Sequence, residues 1–181
     1  MNNSLKYIIT VIIIFQSSGF AQKFVNNYQQ AVEYFNNESY AEAYTIFRNL
    51  ENFESVDKEI KSSALYYASV CLINIGQTEG SIGSFERFVS NYKMSNYRAD
   101  ALYKLGTIYF ENGQYRKCRD KLFILINDYP GNDYKGNSYY WIGKSFVEEN
   151  KLIDAEEYLK TAISSGSDNT YIDYSLYSLA T

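Results

Sequence analysis

One pattern of small and large residues recurs every 37 positions, and it constrains the fold more than any other feature of the chain. The clearest copy reads Leu102-x-x-Leu105-Gly106-x-x-Tyr109, then Asn112-Gly113, then Tyr115-x-x-Cys118-x-x-x-Leu122, and closes on Tyr129-Pro130. The next copy holds Tyr139, Ile142, Gly143 and Phe146, then Asn150, then Leu152, Ala155 and Leu159. The preceding one holds Leu65, Ala68, Ser69 and Leu72, then Gly76, then Thr78, Ser81 and Phe85. A weaker first copy keeps Ala31 and Tyr34, then Tyr40, Ala43 and Phe47, with polar Asn27 and Gln30 upstream. A unit this short cannot bury its apolar face alone, so successive units must stack and share one core.

Apolar residues at i, i+3, i+4 and i+7 mark one face of an α-helix, and each copy shows this twice around a short Asn or Gly break. Each unit is therefore expected to be a helix-turn-helix hairpin. First helices are predicted near 26–37, 62–75, 98–112, 135–149 and 171–181, and second helices near 40–52, 78–92, 115–128 and 152–164. Ala31, Ser69, Gly106 and Gly143 stand in the middle of the first helices, and Ala43, Ser81, Cys118 and Ala155 in the second. Small side chains at a crossing let two backbones approach closely, and the large residue four positions on (Phe47, Phe85, Leu122, Leu159) fills the space beside them.

Ahead of the repeats, Lys6 precedes a run from Tyr7 to Phe15 in which only Thr10 is polar, and Gly19-Phe20-Ala21 has the small-x-small form of a cleavage site. Residues 1–21 are thus expected to be a signal peptide removed after Ala21, leaving a periplasmic or secreted chain. The run is less than half the length needed to span a bilayer, so no membrane-spanning segment is expected after cleavage. The first cysteine is Cys71, too late for lipid anchoring at the cleavage site.

Net charge of −4 argues against nucleic acid, because neutralising phosphates requires surplus clustered cations. The chain has no histidine, which removes Ser-His and Cys-His nucleophile pairs and His-ligated zinc. Glu148-Glu149 and Glu156-Glu157 are adjacent on helices, point to different faces, and are read as solvated surface acids. Gly113-Gln114 and Gly131-Asn132 are turns without the glycine spacing of a phosphate loop. Cys71 and Cys118 fall on helices of different units, Cys118 at a small core position and Cys71 beside packing residue Leu72, which favours two buried free thiols over a bridge. The chain is expected to be non-catalytic, with no cofactor and no metal site.

Residues 102 to 130, with an apolar residue, Leu105-Gly106, Tyr109, a small core residue and Tyr129-Pro130, resemble the tetratricopeptide repeat family. The four-fold recurrence extends that resemblance over nearly all of the chain after residue 21. It implies an all-α fold, a right-handed α-solenoid of hairpins, with repeats at about 24–60, 62–97, 98–134 and 135–170 and a partial fifth at 171–181. The long repeats ending in Asn127-Asp128-Tyr129-Pro130 are similar to exported tetratricopeptide proteins of the Gram-negative envelope, such as the Tol-Pal accessory protein and the outer-membrane assembly lipoprotein.

The resemblance implies a protein-interaction scaffold whose first helices line a concave, peptide-binding groove. The positions beside the packing face of those helices are Tyr28 and Phe35, Tyr66 and Ile73, Tyr103, Thr107 and Phe110, Tyr140, Lys144 and Val147, and Tyr177. Two readings of this one-tyrosine-per-repeat ladder stand open: a binding strip, or packing between neighbouring first helices. Lys144 is the only cation among these positions, so an apolar extended or helical protein segment is the expected partner. The last segment, with Tyr174, Leu176, Tyr177 and Leu179 and one charge at Asp173, makes a poor polar cap. The array is therefore expected to be incomplete there, to self-associate through that end, or to serve as a structural module of a longer protein.

Overall fold

The computed structural model describes residues 22–165 and 171–180; the signal-peptide expectation falls outside them. Nine helices and no strand are present among the described residues. They are α1 (22–36), α2 (Tyr40–Asn52), α3 (Lys58–Asn74), α4 (Thr78–Asn91), α5 (Arg98–Glu111), α6 (Tyr115–Asp128), α7 (Lys135–Glu148), α8 (Leu152–Ser164) and α9 (Ile172–Ala180). The bounds follow the periodicity closely.

One hydrogen-bond pattern makes each hairpin turn. Ser39 N–H, Gln77 N–H, Gln114 N–H and Lys151 N–H reach back to the carbonyls of Tyr34, Leu72, Tyr109 and Phe146, at 2.8 to 2.9 Å. This is the Schellman closure, and it requires a left-handed residue just past the helix. Gly76 (φ 76°) and Gly113 (φ 68°) supply it without a Cβ penalty, whereas Asn150 (φ 58°) and Glu38 (φ 60°) adopt it as L-residues. Glu38 departs from the expected Asn or Gly break. The inter-hairpin loops also repeat: Ser95 N–H donates to Tyr92 O and Arg98 N–H to Ser95 O, as Asn132 N–H does to Tyr129 O and Lys135 N–H to Asn132 O. α3 begins at Lys58 rather than near 62, because Asp57 caps it, its carboxylate accepting from Glu59 N–H at 2.7 Å.

The chain divides into two compact units, one ending at Ser84 and the other beginning at Phe85. In the first, Ala31, Ala43, Phe47, Leu50, Ala64, Ala68 and Cys71 form one buried cluster from α1, α2 and α3. In the second, the small-residue positions explain how the hairpins close. A Cβ placed on Gly106 would lie 2.5 Å from Leu122 Cδ2, and one on Gly143 would lie 2.7 Å from Leu159 Cγ and 3.2 Å from Leu159 N. Each glycine thus lets the leucine four positions after the small residue of the facing helix rest directly on backbone. Cys118, Leu122, Ala155 and Leu159 are buried at these crossings.

Candidate peptide-binding surface

The candidate positions are described within each unit. In the first, Tyr28 is half-buried and meets Phe47 edge-on at 5.7 Å. Phe35 packs edge-on against Tyr40 at 5.5 Å and Tyr67 at 5.2 Å. Tyr66 is buried and Ile73 half-buried. Tyr67, which no groove position anticipates, stacks on Phe47 at 5.5 Å and ties these rings into the core.

In the second unit the aromatic residues of α5 and α7 lock to one another. The Tyr103 ring stacks on Tyr134 at 4.5 Å, and its hydroxyl accepts from Trp141 Nε1–H at 3.1 Å. Burial pushes the Tyr103 phenol well above its ordinary range, so it stays neutral. Tyr134, the N-cap residue of α7, donates its hydroxyl to Asp100 Oδ1 at 2.6 Å. Trp141 also lies 4.9 Å from Phe110 and 5.3 Å from Tyr171. Tyr140 is buried, stacked on Tyr171 at 4.6 Å with the rings nearly parallel.

Tyr103, Thr107, Phe110, Lys144 and Val147 are half-buried on α5 and α7, so each keeps some surface toward solvent. Thr107 turns its hydroxyl to Lys104 O at 3.0 Å, and Lys144 lies 3.9 Å from Glu148. Tyr177 on α9 is 71% exposed. Ring-on-ring packing therefore accounts for Tyr66 and Tyr140, while the rest of the set retains access. Trp141 at the centre of this aromatic belt was not anticipated, being the only tryptophan and absent from the other repeats. The stacking partners Tyr134 and Tyr171 do recur at the 37-residue period, together with Tyr97.

Glu149, partly exposed, is paired rather than free. Both its oxygens accept from Arg119 Nη2, at 3.0 and 3.1 Å, and Oε2 also accepts from Lys151 Nζ at 2.6 Å. Arg119, buried on α6, further donates to Ser145 Oγ at 2.9 Å and lies 4.2 Å over the Phe146 ring. The Lys151 and Arg119 hydrogen bonds hold the Glu149 carboxyl below its ordinary value. A second clamp joins Glu86 to Tyr109 Oη at 2.6 Å and Lys121 Nζ at 2.7 Å. Both clamps link helices rather than present a reactive group. Cys71 and Cys118 are free and buried, and burial raises each thiol to about 12. No group of three or more His, Cys, Asp or Glu among the described residues could hold a metal ion, and none of the described helices is long and apolar enough to cross a membrane.

A tetratricopeptide repeat family model matches residues 63–93 and 100–132, the second and third copies of the sequence pattern. No curated protein matches the sequence. Among solved structures, the chain is similar to a tetratricopeptide repeat protein from Parabacteroides merdae ATCC 43184, at 12% identity and a TM-score of 0.73 over 87% of this chain and 59% of that one. It is similar to MamA from Desulfovibrio magneticus RS-1, at 17% identity and a TM-score of 0.63 over 87% of this chain and 84% of that one. It is also similar to the TPR-like repeats of a Podosopora anserina structure, at 13% identity and a TM-score of 0.65 over 88% and 84%. At these identities the likeness is one of fold. The chain carries tetratricopeptide repeats and has the all-α fold of the tetratricopeptide solenoids.

Proposed function

We propose that this chain is an exported, non-catalytic scaffold that binds a protein partner in the cell envelope through its first-helix surface. The observation that carries the reading is the pair α5 and α7, where Tyr103, Phe110 and Trp141 are held by each other's rings yet only half-buried. Rings fixed before binding lose little freedom on contact, which is how a modest surface gains affinity. The partner segment is apolar, because Lys144 already faces Glu148 and leaves no clamp for a C-terminal carboxylate. Export rests on the Lys6 to Ala21 pattern, and the envelope setting rests on the resemblance to Tol-Pal accessory and outer-membrane assembly proteins.

Cell fractionation with mass spectrometry of the amino terminus tests export: a periplasmic chain beginning at Gln22 supports it, and a cytoplasmic chain keeping Met1 refutes it. Affinity capture from envelope extract, comparing the parent with Phe110→Ala, tests the surface. Loss of one discrete partner in the variant, with helicity retained, supports the reading; equal capture by both refutes it.

A further inference from the structure

The first hairpin departs from the repeat pattern where the later copies are most apolar, and a pocket opens there. Asn27 and Gln30 on α1 stand at the positions of Leu65 and Ala68, and of Leu102 and Leu105, all four of which are buried. Lys23, Asn27 and Gln30 share one side of α1, and Ile46, Asn49 and Phe53 share one side of α2. Together with Phe24 and Ser55 they line a pocket of about 370 Å³ within the first unit, inside the size range of small-ligand sites. Phe24 is buried and Phe53 is 53% exposed, their rings 5.6 Å apart and tilted by 44°. Val56 is buried and its N–H donates to Phe53 O at 3.2 Å, which fixes the turn that carries Ser55. Among the described residues, the side-chain amides of Asn27, Gln30 and Asn49 have no hydrogen-bond partner.

We propose that this pocket binds a sugar ring of a neutral or carboxylate-bearing glycan. An amide offers a donor and an acceptor side by side, and three of them around one small cavity fit a ligand that crowds hydroxyl groups, each donor and acceptor, onto a compact ring. The C–H face of such a ring is apolar and suits the exposed Phe53 ring. Lys23, the one charged side chain in the lining, admits a carboxylate and repels an ammonium group. Other occupants fit the amides less well. The apolar run over residues 7–15, or the exposed Leu152 and Ile153 of a second copy, would cover three amides without pairing them, which desolvates them at a cost. An extended peptide laid along α1 from Lys23 to Gln30 has about 10 Å to follow, only about three residues of strand. A polar outer face on a terminal repeat serves solubility, but solubility requires no cavity. The pocket belongs to the first unit and owes nothing to the surface of α5 and α7.

Saturation-transfer NMR titrations of the full chain with methyl glucoside, glucuronic acid, glucosamine and an acetylated Gly-Ser-Gly peptide read the occupant directly. Ring protons of methyl glucoside and glucuronic acid should receive saturation, and glucosamine should bind at least about threefold more weakly than either. Phe53→Ala should weaken sugar binding at least about tenfold. Asn27→Leu combined with Gln30→Leu installs the residue type that the third copy carries at Leu102 and Leu105, and should abolish sugar binding while the circular dichroism melt holds. Asn49→Ala, at an exposed position, should weaken binding without adding a large apolar side chain. Thr107 and Lys144 variants should bind sugar as the parent does. No transfer to any of the sugars, transfer that survives both amide variants, or glucosamine bound as tightly as glucuronic acid overturns the proposal. Peptide bound in place of sugar, and lost in the same variants, also overturns it, by making a protein segment the occupant.

Discussion

Substituting alanine for Gly106 should destabilise the protein even though alanine is the better helix former. The new Cβ would stand 2.5 Å from Leu122 Cδ2, 2.6 Å from Cγ and 3.3 Å from Cδ1, inside van der Waals contact with a fully buried side chain. Overpacking of this kind costs about 1–3 kcal/mol, against which the propensity gain of alanine over glycine returns about 1 kcal/mol. Two contacts inside about 2.6 Å place the cost in the upper part of that range, about 2–3 kcal/mol, so the net loss is about 1–2 kcal/mol, which lowers the melting midpoint by several degrees at roughly 2–4 °C per kcal/mol for a chain of this size. Gly143→Ala should lose at least as much, because Leu159 N, which cannot rotate away, would lie 3.2 Å from the new atom. Gly83, exposed within α4 and with nothing within 4 Å of its Cβ position, is the opposite case. Gly83→Ala should gain up to about 1 kcal/mol from propensity alone. Circular dichroism melts and urea titrations of the three variants read these differences. Combining Gly106→Ala with Leu122→Ala should cost less than the two separate losses, since each relieves the other. A Gly106→Ala protein as stable as the parent, or a Gly83→Ala protein destabilised to match it, refutes the close-crossing argument.

Glu38→Gly should stabilise the first hairpin by about 1 kcal/mol, because a left-handed conformation penalises a residue with a Cβ; a chemical denaturation midpoint that falls contradicts this. Neither Cys71 nor Cys118 should react with an aromatic disulfide reagent at pH 8 in the folded protein, whereas both should react after unfolding in urea; fast reaction of either in the native state contradicts the burial that raises both thiols to about 12. Glu149→Gln should lower stability by about 1–3 kcal/mol by weakening the partner of buried Arg119. Because the folded Glu149 carboxyl sits below its unfolded value of about 4.3, its contribution is complete above that pH and is lost as pH falls through the folded value. The stability difference between parent and variant should therefore shrink on acidification, and a difference that stays constant to pH 2 contradicts the assignment.

What could be seen in the sequence was whatever repeats. Helix bounds came from a strict apolar period punctuated at Gly76, Gly113 and Asn150, and the hairpin crossings came from small residues held at one register. Features present once escaped. Asp57 begins α3 early because its side chain caps Glu59 N–H, whereas Ser95 and Asn132, about one repeat on, accept from Tyr97 and Tyr134 N–H just ahead of α5 and α7. Glu38 takes a left-handed turn because the hairpin geometry overrides its own preference. Trp141 becomes the hub of the aromatic belt through a hydrogen bond to Tyr103, 38 positions away. Arg119 and Glu149 meet only because α6 packs on α7, so adjacency along the chain misses the pairing of Glu149. The candidate surface was half-legible for the same reason: phase identifies which residues share a side of a helix, but the neighbouring helix decides which of them, such as Tyr66 and Tyr140, are covered.

The central claim is that a partner docks on the first-helix surface of α5 and α7. Site-specific photocrosslinking tests it most directly, with a photoreactive residue placed in turn at Thr107 and Lys144 on that surface and at Lys117 and Glu156 on the second helices α6 and α8. In envelope extract, one partner band from Thr107 and Lys144, and none from Lys117 or Glu156, is the expected result. The same band from the second-helix positions, or none from Thr107 and Lys144, would contradict it.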